Sequence, residues 1–385
     1  MDLRFTDDQE ELRRSVRAFL NKECPVSLVR AQAEGSGGPE ARRLWEKMVA
    51  ADWPGLAIAR DDGGVGLGFA ELAVLAEEAG AALVPGPLVA TTGLFVPTVA
   101  EVADPARRHE LLSRVATGGA TGTLAVAEGT RGAGIGTIAA TATPVAGGFA
   151  LDGTKRFVLS AREAEWIAVV ARLAAPAAGA AAGDLAVLVV ECSALQTTPL
   201  HAYDPTRSLC SVDLGGRAVA GTSLLGAGPQ AAGGLRRAME QGACFLALET
   251  LGACREMFAA VLAYAQSRHQ FGAAIGSFQA VKHKLVDMFV SLEKARALAY
   301  YAVAAICEDA PDRAQAVAMA KAATDDCQRH IGQESIQTFG GIGFTWENDL
   351  QLFVKRAKTT GALLGDAHDH RRHLAATMGL GAAAS

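Results

Sequence analysis

The spacing of apolar and polar positions changes twice along the chain and divides it into three zones. In the first zone, residues 1–118, apolar side chains such as Leu12 and Leu20 recur at the spacing of one helical face, and Thr6 stands where a helix N-cap is expected. A glycine-rich run at 63–68 interrupts the pattern, and a further helix is expected behind it. The first zone therefore predicts an N-terminal helical domain.

The second zone, residues 119–225, contains short β-branched runs separated by glycine turns. The runs at 166–170 and 185–190 are predicted strands, and the run at 137–138 is strand-like. The stretch at 174–183 contains only Ala, Pro and Gly, so an exposed loop between two strands is expected there. This zone predicts a small β domain.

The third zone, residues 226–385, returns to long helices with apolar stripes. They are predicted at roughly 235–267, 278–308, 312–337 and 349–358. The zone contains no internal repeat and predicts a helical bundle.

Composition narrows the class of protein. Half of the 385 residues are apolar, but much of that is alanine, and charged residues interrupt each apolar run before the roughly 20 residues of a membrane-spanning helix. A net charge of −5 supplies no basic footprint for nucleic acid, and seven cysteines without a Cys-x-x-Cys pair argue against a disulfide framework and a zinc site. The N-terminus shows neither a secretory signal nor a transit peptide. We expect a globular cytoplasmic protein that binds neither membranes nor nucleic acid.

Two segments interrupt the helical patterns of the third zone with residues suited to a phosphate ligand. The first is Arg-His-Gln-Phe-Gly at 268–272, and the second is Gln-Thr-Phe-Gly-Gly at 337–341. Arginine offers two parallel donors to a phosphate, and glycine lets the backbone approach closely. Such a pair of segments suits a pyrophosphate bridge joined to a flat ring.

With neighbouring motifs, this pair resembles the flavin adenine dinucleotide (FAD) signature of the acyl-CoA dehydrogenase family. The resemblance covers nearly the whole chain and includes Asp-Asp-Gly-Gly-Val-Gly at 61–66, Leu-Asp-Gly-Thr-Lys-Arg-Phe-Val at 151–158 and Ile-Gly-Ser-Phe-Gln-Ala-Val-Lys-His at 275–283. It implies an α+β fold with an N-terminal helical domain, a central β-barrel or β-sandwich domain and a C-terminal four-helix bundle, which correspond to the three zones.

The resemblance implies FAD-dependent α,β-desaturation of an acyl-CoA thioester, with an electron-transfer flavoprotein as the expected electron acceptor. In the family, a carboxylate removes the α-proton while the β-hydrogen leaves as a hydride. The implied FAD-binding residues are Arg268, Gln270, Phe271, Gln279, Gln337, Gly340 and Gly341. They are expected to hold the adenosine–pyrophosphate half of a flavin that the neighbouring subunit mainly houses. The alternatives are a helix-end salt bridge for Arg268 and interior amides for Gln279 and Gln337.

The motifs for the flavin ring depart from the family pattern. Where members carry Thr-Glu-Pro followed by Gly-Ser-Asp, this chain has Ala-Glu-Gly-Thr-Arg-Gly-Ala-Gly at 127–134, and the usual Trp-Ile-Thr is Phe-Val-Leu at 157–159. The glycines at 132–136 suggest a dinucleotide-binding loop, but a strand-like run follows them where that motif requires a helix. We therefore reject a Rossmann interpretation.

Neither of the family's usual positions for the catalytic base carries a carboxylate. The glutamate near the C-terminus is replaced by Leu364, and the alternative position on the helix before the flavin arginine corresponds to Gly242 and Ala243. The predicted base is Glu249, with Asp366 and Glu240 as alternatives.

Glu249 lies seven residues after Gly242, almost two helical turns, so it returns to nearly the same face about 10.5 Å farther along. A glutamate in so apolar a run should have the raised pKa that a base requires. The alternative is a buried glutamate paired with an arginine or a backbone donor. Glu240 is alternatively a contact for the nucleotide of coenzyme A, and Asp366 has a shorter side chain beside the usual base position.

Two further polar clusters are interpreted structurally. His-Asp-His-Arg-Arg-His at 368–373 places His370 and His373 on one helical face, but there is no third ligand at metal spacing. A solvated basic helix is expected there, and no metal site is predicted. Arg207, in Asp-Pro-Thr-Arg at 204–207, is assigned a structural role.

The chain keeps the arginine that binds flavin in the family but lacks the motifs for the flavin ring and the catalytic base. This combination suggests an active site that is divided between two chains. The chain resembles subunits of heteromeric acyl-CoA dehydrogenases that act on steroid side-chain thioesters, with Arg268 reaching a flavin held by a partner. One alternative is a homo-oligomer, a dimer or tetramer, that uses Glu249 on a bulky or branched acyl-CoA. The other is a non-catalytic partner that stabilises a sister dehydrogenase.

Overall fold

The structure is a computed structural model that describes residues 5–129 and 134–380. Helices come first in the chain, strands follow, and long helices end it, which confirms the predicted α+β organisation. Within the two described ranges, no helix is long and apolar enough to cross a membrane.

The N-terminal part is helical. Its helices are α1 (Asp7–Glu23), α2 (Val26–Ala33), α3 (Gly38–Ala50), α4 (Phe69–Ala81), α5 (Val96–Val102) and α6 (Pro105–Ala116). Thr6 caps α1 as predicted, since its hydroxyl accepts a hydrogen bond from the Gln9 backbone and the Gln9 side chain accepts one from the Thr6 backbone. After the glycine-rich run, α4 begins where the Glu71 carboxylate accepts a 2.8 Å hydrogen bond from Gly68 N.

The described residues of the central part form ten strands. They are β1 (Gly122–Ala125), β2 (Thr141–Val145), β3 (Gly148–Asp152), β4 (Thr154–Leu159), β5 (Trp166–Leu173), β6 (Leu185–Glu191), β7 (Gln196–Pro199), β8 (Leu209–Asp213), β9 (Arg217–Ala220) and β10 (Leu224–Ala227). The strands predicted at 166–170 and 185–190 are confirmed, as is the loop between them. The strand-like prediction at 137–138 is wrong. Residues Ile135–Thr137 form a 3₁₀ turn, in which the Thr137 backbone donates a 3.1 Å hydrogen bond to the Gly134 carbonyl. The Glu128 carboxylate accepts hydrogen bonds from the backbone of Ala139 and Ala140, the two residues before β2.

These strands form two open sheets. One has the order β10–β6–β5–β2–β3–β9, with β1 added in parallel to β5, and the other has the order β4–β8–β7. Side chains of both sheets share one apolar cluster, which includes Val158, Val169 and Cys210. Of the two predicted alternatives, the described strands therefore form a sandwich and not a closed barrel.

The C-terminal part is the predicted four-helix bundle. Its elements are α7 (Gly228–Ser267), the hairpin strands β11 (His269–Gln270) and β12 (Ala273–Ala274), α8 (Gln279–Cys307), α9 (Arg313–Phe339), α10 (Leu350–Ala362) and α11 (Ala367–Thr377). The bundle helices are α7 to α10, and α11 packs on α9. Helix α7 starts seven residues earlier than predicted because Pro229 stands in its first turn, where proline favours a helix start.

Two glycines allow α4 and α7 to pack backbone against backbone. A Cβ at Gly80 would lie 2.0 Å from the carbonyl oxygen of Glu249, and one at Gly252 would lie 1.9 Å from that of Glu77. No side chain fits at either distance, so only glycine permits this approach. Helix α7 thereby joins the N-terminal helices to the bundle.

Candidate active site

The first predicted FAD-binding segment forms a tight hairpin at the end of α7. Phe271 and Gly272 occupy the turn with φ angles of 53° and 81°. Positive φ at both central residues is the geometry of a two-residue hairpin turn, and glycine adopts it without strain. The Ile275 backbone donates a 2.8 Å hydrogen bond to the Arg268 carbonyl and closes the hairpin.

The second segment lies beside the first. Helix α9 ends at Phe339, and Gly340 turns the chain with a φ of 66°. The Phe339 ring stacks on Tyr264, near the end of α7, with ring centroids 4.4 Å apart. This stacking brings together two segments that are about 70 residues apart in sequence, as the prediction of a shared ligand requires.

All seven predicted FAD-binding residues are exposed, and Phe271 is 95% exposed. Arg268 makes no ion pair with any described residue, so the helix-end salt bridge is not observed. Gln279 and Gln337 are surface residues and not interior amides. A free guanidinium, two surface amides and an open glycine turn fit a pyrophosphate ligand that approaches from outside the chain.

A first cavity of about 380 Å³ lies between the β sandwich and the bundle. Its lining includes residues 126–127, 156–157 and 159 of the sandwich and residues 358–359 and 362–364 of the bundle, together with His201 and Tyr203. Most of its lining side chains are apolar. Phe157 and Leu159, from the rewritten ring motif, line it, whereas residues 130–133 of the other ring motif lie outside the described ranges.

A second cavity, also of about 380 Å³, lies on the far side of the 363–365 loop. Leu364 lines both cavities. A Cβ at Gly242 would meet the Leu364 side chain at 3.1 Å. The two positions at which the family places its base therefore converge at the boundary between the cavities, and both lack a carboxylate here.

Two side chains from other helices hold the Leu364 loop. Lys321 is buried and donates hydrogen bonds of 2.9 Å to the carbonyls of Gly361 and Leu363. His370 donates from Nε2 to the Leu364 carbonyl at 3.2 Å. Burial lowers the pKa of Lys321 to about 8, and burial together with the charge of Lys321 lowers the pKa of His370 to about 4. The imidazole is therefore neutral at physiological pH.

Sequence reasoning missed both residues. Lys321 was detectable as a lone charge in an alanine-rich helical run, which marks a buried lysine with backbone partners. His370 was assigned to a solvated helix, and that assignment is wrong for this residue because its ring is half-buried and donates to the Leu364 carbonyl. The neighbouring His368 and His373 are exposed as expected, and no group of three metal-ligating side chains occurs among the described residues.

Glu249 is buried in a cluster of four charges. Its Oε1 accepts from Arg207 and, at 3.3 Å, from Arg356, while Oε2 has no hydrogen-bond partner. Arg356 is fully buried and also binds Asp204 at 2.7 Å. Burial alone would raise the pKa of Asp204, but Arg356 and Arg207 outweigh it and lower that pKa. Glu249 lines neither cavity, so its geometry is that of the buried, arginine-paired alternative.

The other two candidate carboxylates lie elsewhere. Glu240 lines the second cavity and pairs with Arg313 at 2.6 Å. Asp366 caps α11 and accepts 2.9 Å hydrogen bonds from the backbone of His368 and Asp369. The structure thus does not bring the three candidates together, and of the three only Glu240 lines a cavity.

The chain is similar to known proteins over most of its length. Residues 6–119 match the family model described as acyl-CoA dehydrogenase, N-terminal domain, and residues 233–379 match that of the C-terminal domain. The chain is 30% identical over 377 residues to acyl-CoA dehydrogenase IpdE2 of Mycolicibacterium smegmatis, covering 97% of this chain and 100% of that one.

Two solved structures have the same fold as this chain. The Tcur3481–Tcur3483 steroid ACAD, in a variant form, is 25% identical with a TM-score of 0.84, over 97% of this chain and 98% of that one. A chain of the ChsE4–ChsE5 complex from Mycobacterium tuberculosis is 21% identical with a TM-score of 0.85, over 100% of both chains.

Proposed function

The chain belongs to the acyl-CoA dehydrogenase family of FAD-dependent oxidoreductases, and from that premise we propose that it desaturates a bulky, steroid side-chain-like acyl-CoA as one subunit of a hetero-oligomer. The observation that carries the proposal is the exposure of all seven predicted FAD-binding residues. Arg268 lines neither of the two cavities described above, so we infer that these residues serve a flavin whose ring lies in another chain.

The first cavity is the proposed site of a flavin ring. When bound there, FAD accepts the hydride from the acyl-CoA. The apolar side chains of Leu124, Val126 and Leu209 exclude water from that site. The second cavity is the proposed site of the thioester, because it shares Leu364 with the first and opens beside Arg236 and other polar groups.

A hetero-oligomer is supported by two findings. The family's base positions carry Leu364 and Gly242, so this chain's own site lacks the usual carboxylate. Proteins of the same fold include the ChsE4–ChsE5 complex and the Tcur3481–Tcur3483 steroid ACAD, each formed from two different chains as its name states. The bulky acyl group is proposed on the same comparison.

The base in this chain stays a prediction with three candidates. Glu249 was the first choice, but its pairing with Arg207 and Arg356 leaves it outside both cavities. Glu240 lines the second cavity, where its carboxylate pairs with Arg313 at 2.6 Å. The geometry therefore favours Glu240 over Glu249 as the catalytic base of this chain.

The test is the flavin absorbance of the full chain, purified alone and after co-expression with sister dehydrogenase chains. We expect little FAD in the chain alone and a yellow complex with a sister chain that bleaches on addition of a steroid side-chain acyl-CoA. The matched control replaces Arg268 by glutamine in the same complex and should lose FAD. A yellow homo-oligomer that bleaches would overturn the hetero-oligomer, and a colourless protein with every partner would leave only the non-catalytic role.

A further inference from the structure

Arg156 lines the first cavity, and its side chain makes no hydrogen bond or ion pair with any described residue. Its Nε is buried and makes no hydrogen bond to any described residue. The guanidinium carbon lies 5.5 Å from the centroid of the Phe157 ring, which also lines the cavity. A buried guanidinium donor without an acceptor costs free energy, so the position is expected to serve a ligand.

An irregular backbone directs this side chain into the cavity. The pairing of β4 with β8 slips between Lys155 and Val158, so Arg156 and Phe157 stand outside the ladder. Phe157 has a φ of 56°, which is uncommon for an aromatic residue. The Arg156 backbone donates instead to the Ala127 carbonyl at 2.7 Å. Bulges of this kind re-aim side chains beside ligand sites.

The neighbouring cation is neutralised, whereas Arg156 is not. Lys155 is buried and donates 2.5 Å to the Glu128 carboxylate. Arg156 has no carboxylate within ion-pair distance in the described ranges. Lys358 is a second lining cation, and none of the described lining residues is acidic. The first cavity is therefore apolar and carries an excess of positive charge.

We propose that Arg156 sets the reduction potential of the flavin ring in the first cavity by supplying the counter-charge for the negative charge gained on reduction. The inference rests on the proposed function. The hydride that leaves the β-carbon carries two electrons and one proton, and the α-proton goes to the base, so the ring's charge changes by −1. A guanidinium in a water-poor cavity stabilises that added charge far more than water-exposed arginine would.

The experiment measures the reduction potential of bound FAD by anaerobic dithionite titration against a reference dye. It uses the full chain in whichever assembly holds FAD and compares Arg156→Met, Arg156→Lys and, as a matched control, Arg217→Met. Arg217 is an exposed arginine of β9 in the same sandwich. We expect Arg156→Met to favour the oxidised form at least tenfold, a lowering of about 30 mV for a two-electron couple. Arg156→Lys should retain most of the wild-type potential, and Arg217→Met should equal it.

An Arg156→Met complex that keeps FAD at the wild-type potential overturns the inference and leaves the proposed function standing. Arg156→Gln, titrated in the same way, replaces the methionine variant if the latter does not fold. A wild-type chain that holds no FAD in any assembly overturns both, so the two failures are distinguishable.

Discussion

Replacing Glu249 by glutamine separates its two candidate roles. In the structure its carboxylate belongs to a balanced cluster of two arginines, Arg207 and Arg356, and two carboxylates, its own and that of Asp204. Each of these four side chains is at most 4% exposed. The amide keeps the shape of the carboxylate but leaves the cluster with one uncompensated positive charge.

Removing one partner of a buried ion pair lowers the free energy of unfolding by about 3–5 kcal/mol, because the remaining charge stays buried without its counter-ion. We therefore expect Glu249→Gln to lower the free energy of unfolding by about that amount. The matched control is Glu256→Gln on the same helix. The Glu256 side chain is 40% exposed and pairs only with Arg255, so a change within about 0.5 kcal/mol is expected.

The assay is urea unfolding followed by tryptophan fluorescence and circular dichroism, beside turnover of the assembled enzyme. The double change Glu249→Leu and Arg207→Met should lower the free energy of unfolding by less than the sum of the two single changes. The remaining pair, Arg356 and Asp204, still has one positive and one negative charge. A Glu249→Gln protein with wild-type stability and turnover lowered at least a hundredfold would refute the structural role and identify the base.

Arg268→Gln is expected to weaken FAD binding by the assembly about tenfold or more, because a hydrogen bond to a charged group contributes about 1.5–3 kcal/mol. Calorimetry of FAD binding checks this. The control is Arg14→Gln, which should bind FAD as the wild type does, because the Arg14 side chain is 70% exposed. Gly80→Ala is expected to lower the free energy of unfolding by about 1–3 kcal/mol, because its Cβ would lie 2.0 Å from the Glu249 carbonyl oxygen, and an unchanged urea midpoint would contradict the close packing. Burial lowers the pKa of His370 from 6.5 to about 4, so the folded state favours the neutral ring. The contribution of this pKa shift to the free energy of unfolding is complete above pH 6.5 and is lost as the pH falls to about 4. The free energy of unfolding of the wild type should therefore fall by up to about 3 kcal/mol relative to that of His370→Gln over this pH window. A difference between the two free energies that stays constant with pH would refute the shift.

Local signals predicted most of the fold correctly. The Thr6 cap, the start of α4 after the glycine run and the strands of the sandwich depend on residues within a few positions of each other. The strand-like prediction at 137–138 failed because the Thr137 backbone donates to the Gly134 carbonyl in a local turn. The Glu128 side chain, about ten residues earlier, accepts from the next two amides, those of Ala139 and Ala140.

The sequence by itself determined the order of helices and strands, the family, and the two segments at 268–272 and 337–341 that suit a phosphate ligand. These follow from apolar periodicity, turn residues and motif spacing, which are properties of neighbouring positions. Only the tertiary structure decided what Glu249 does, because its partners Arg207 and Arg356 are 42 and 107 residues away. In the same way, folding brings Gly242 against Leu364 and Arg156 into the first cavity. Burial and charge pairing are set by such long-range contacts, so the chemistry of a carboxylate cannot be read from its helix alone.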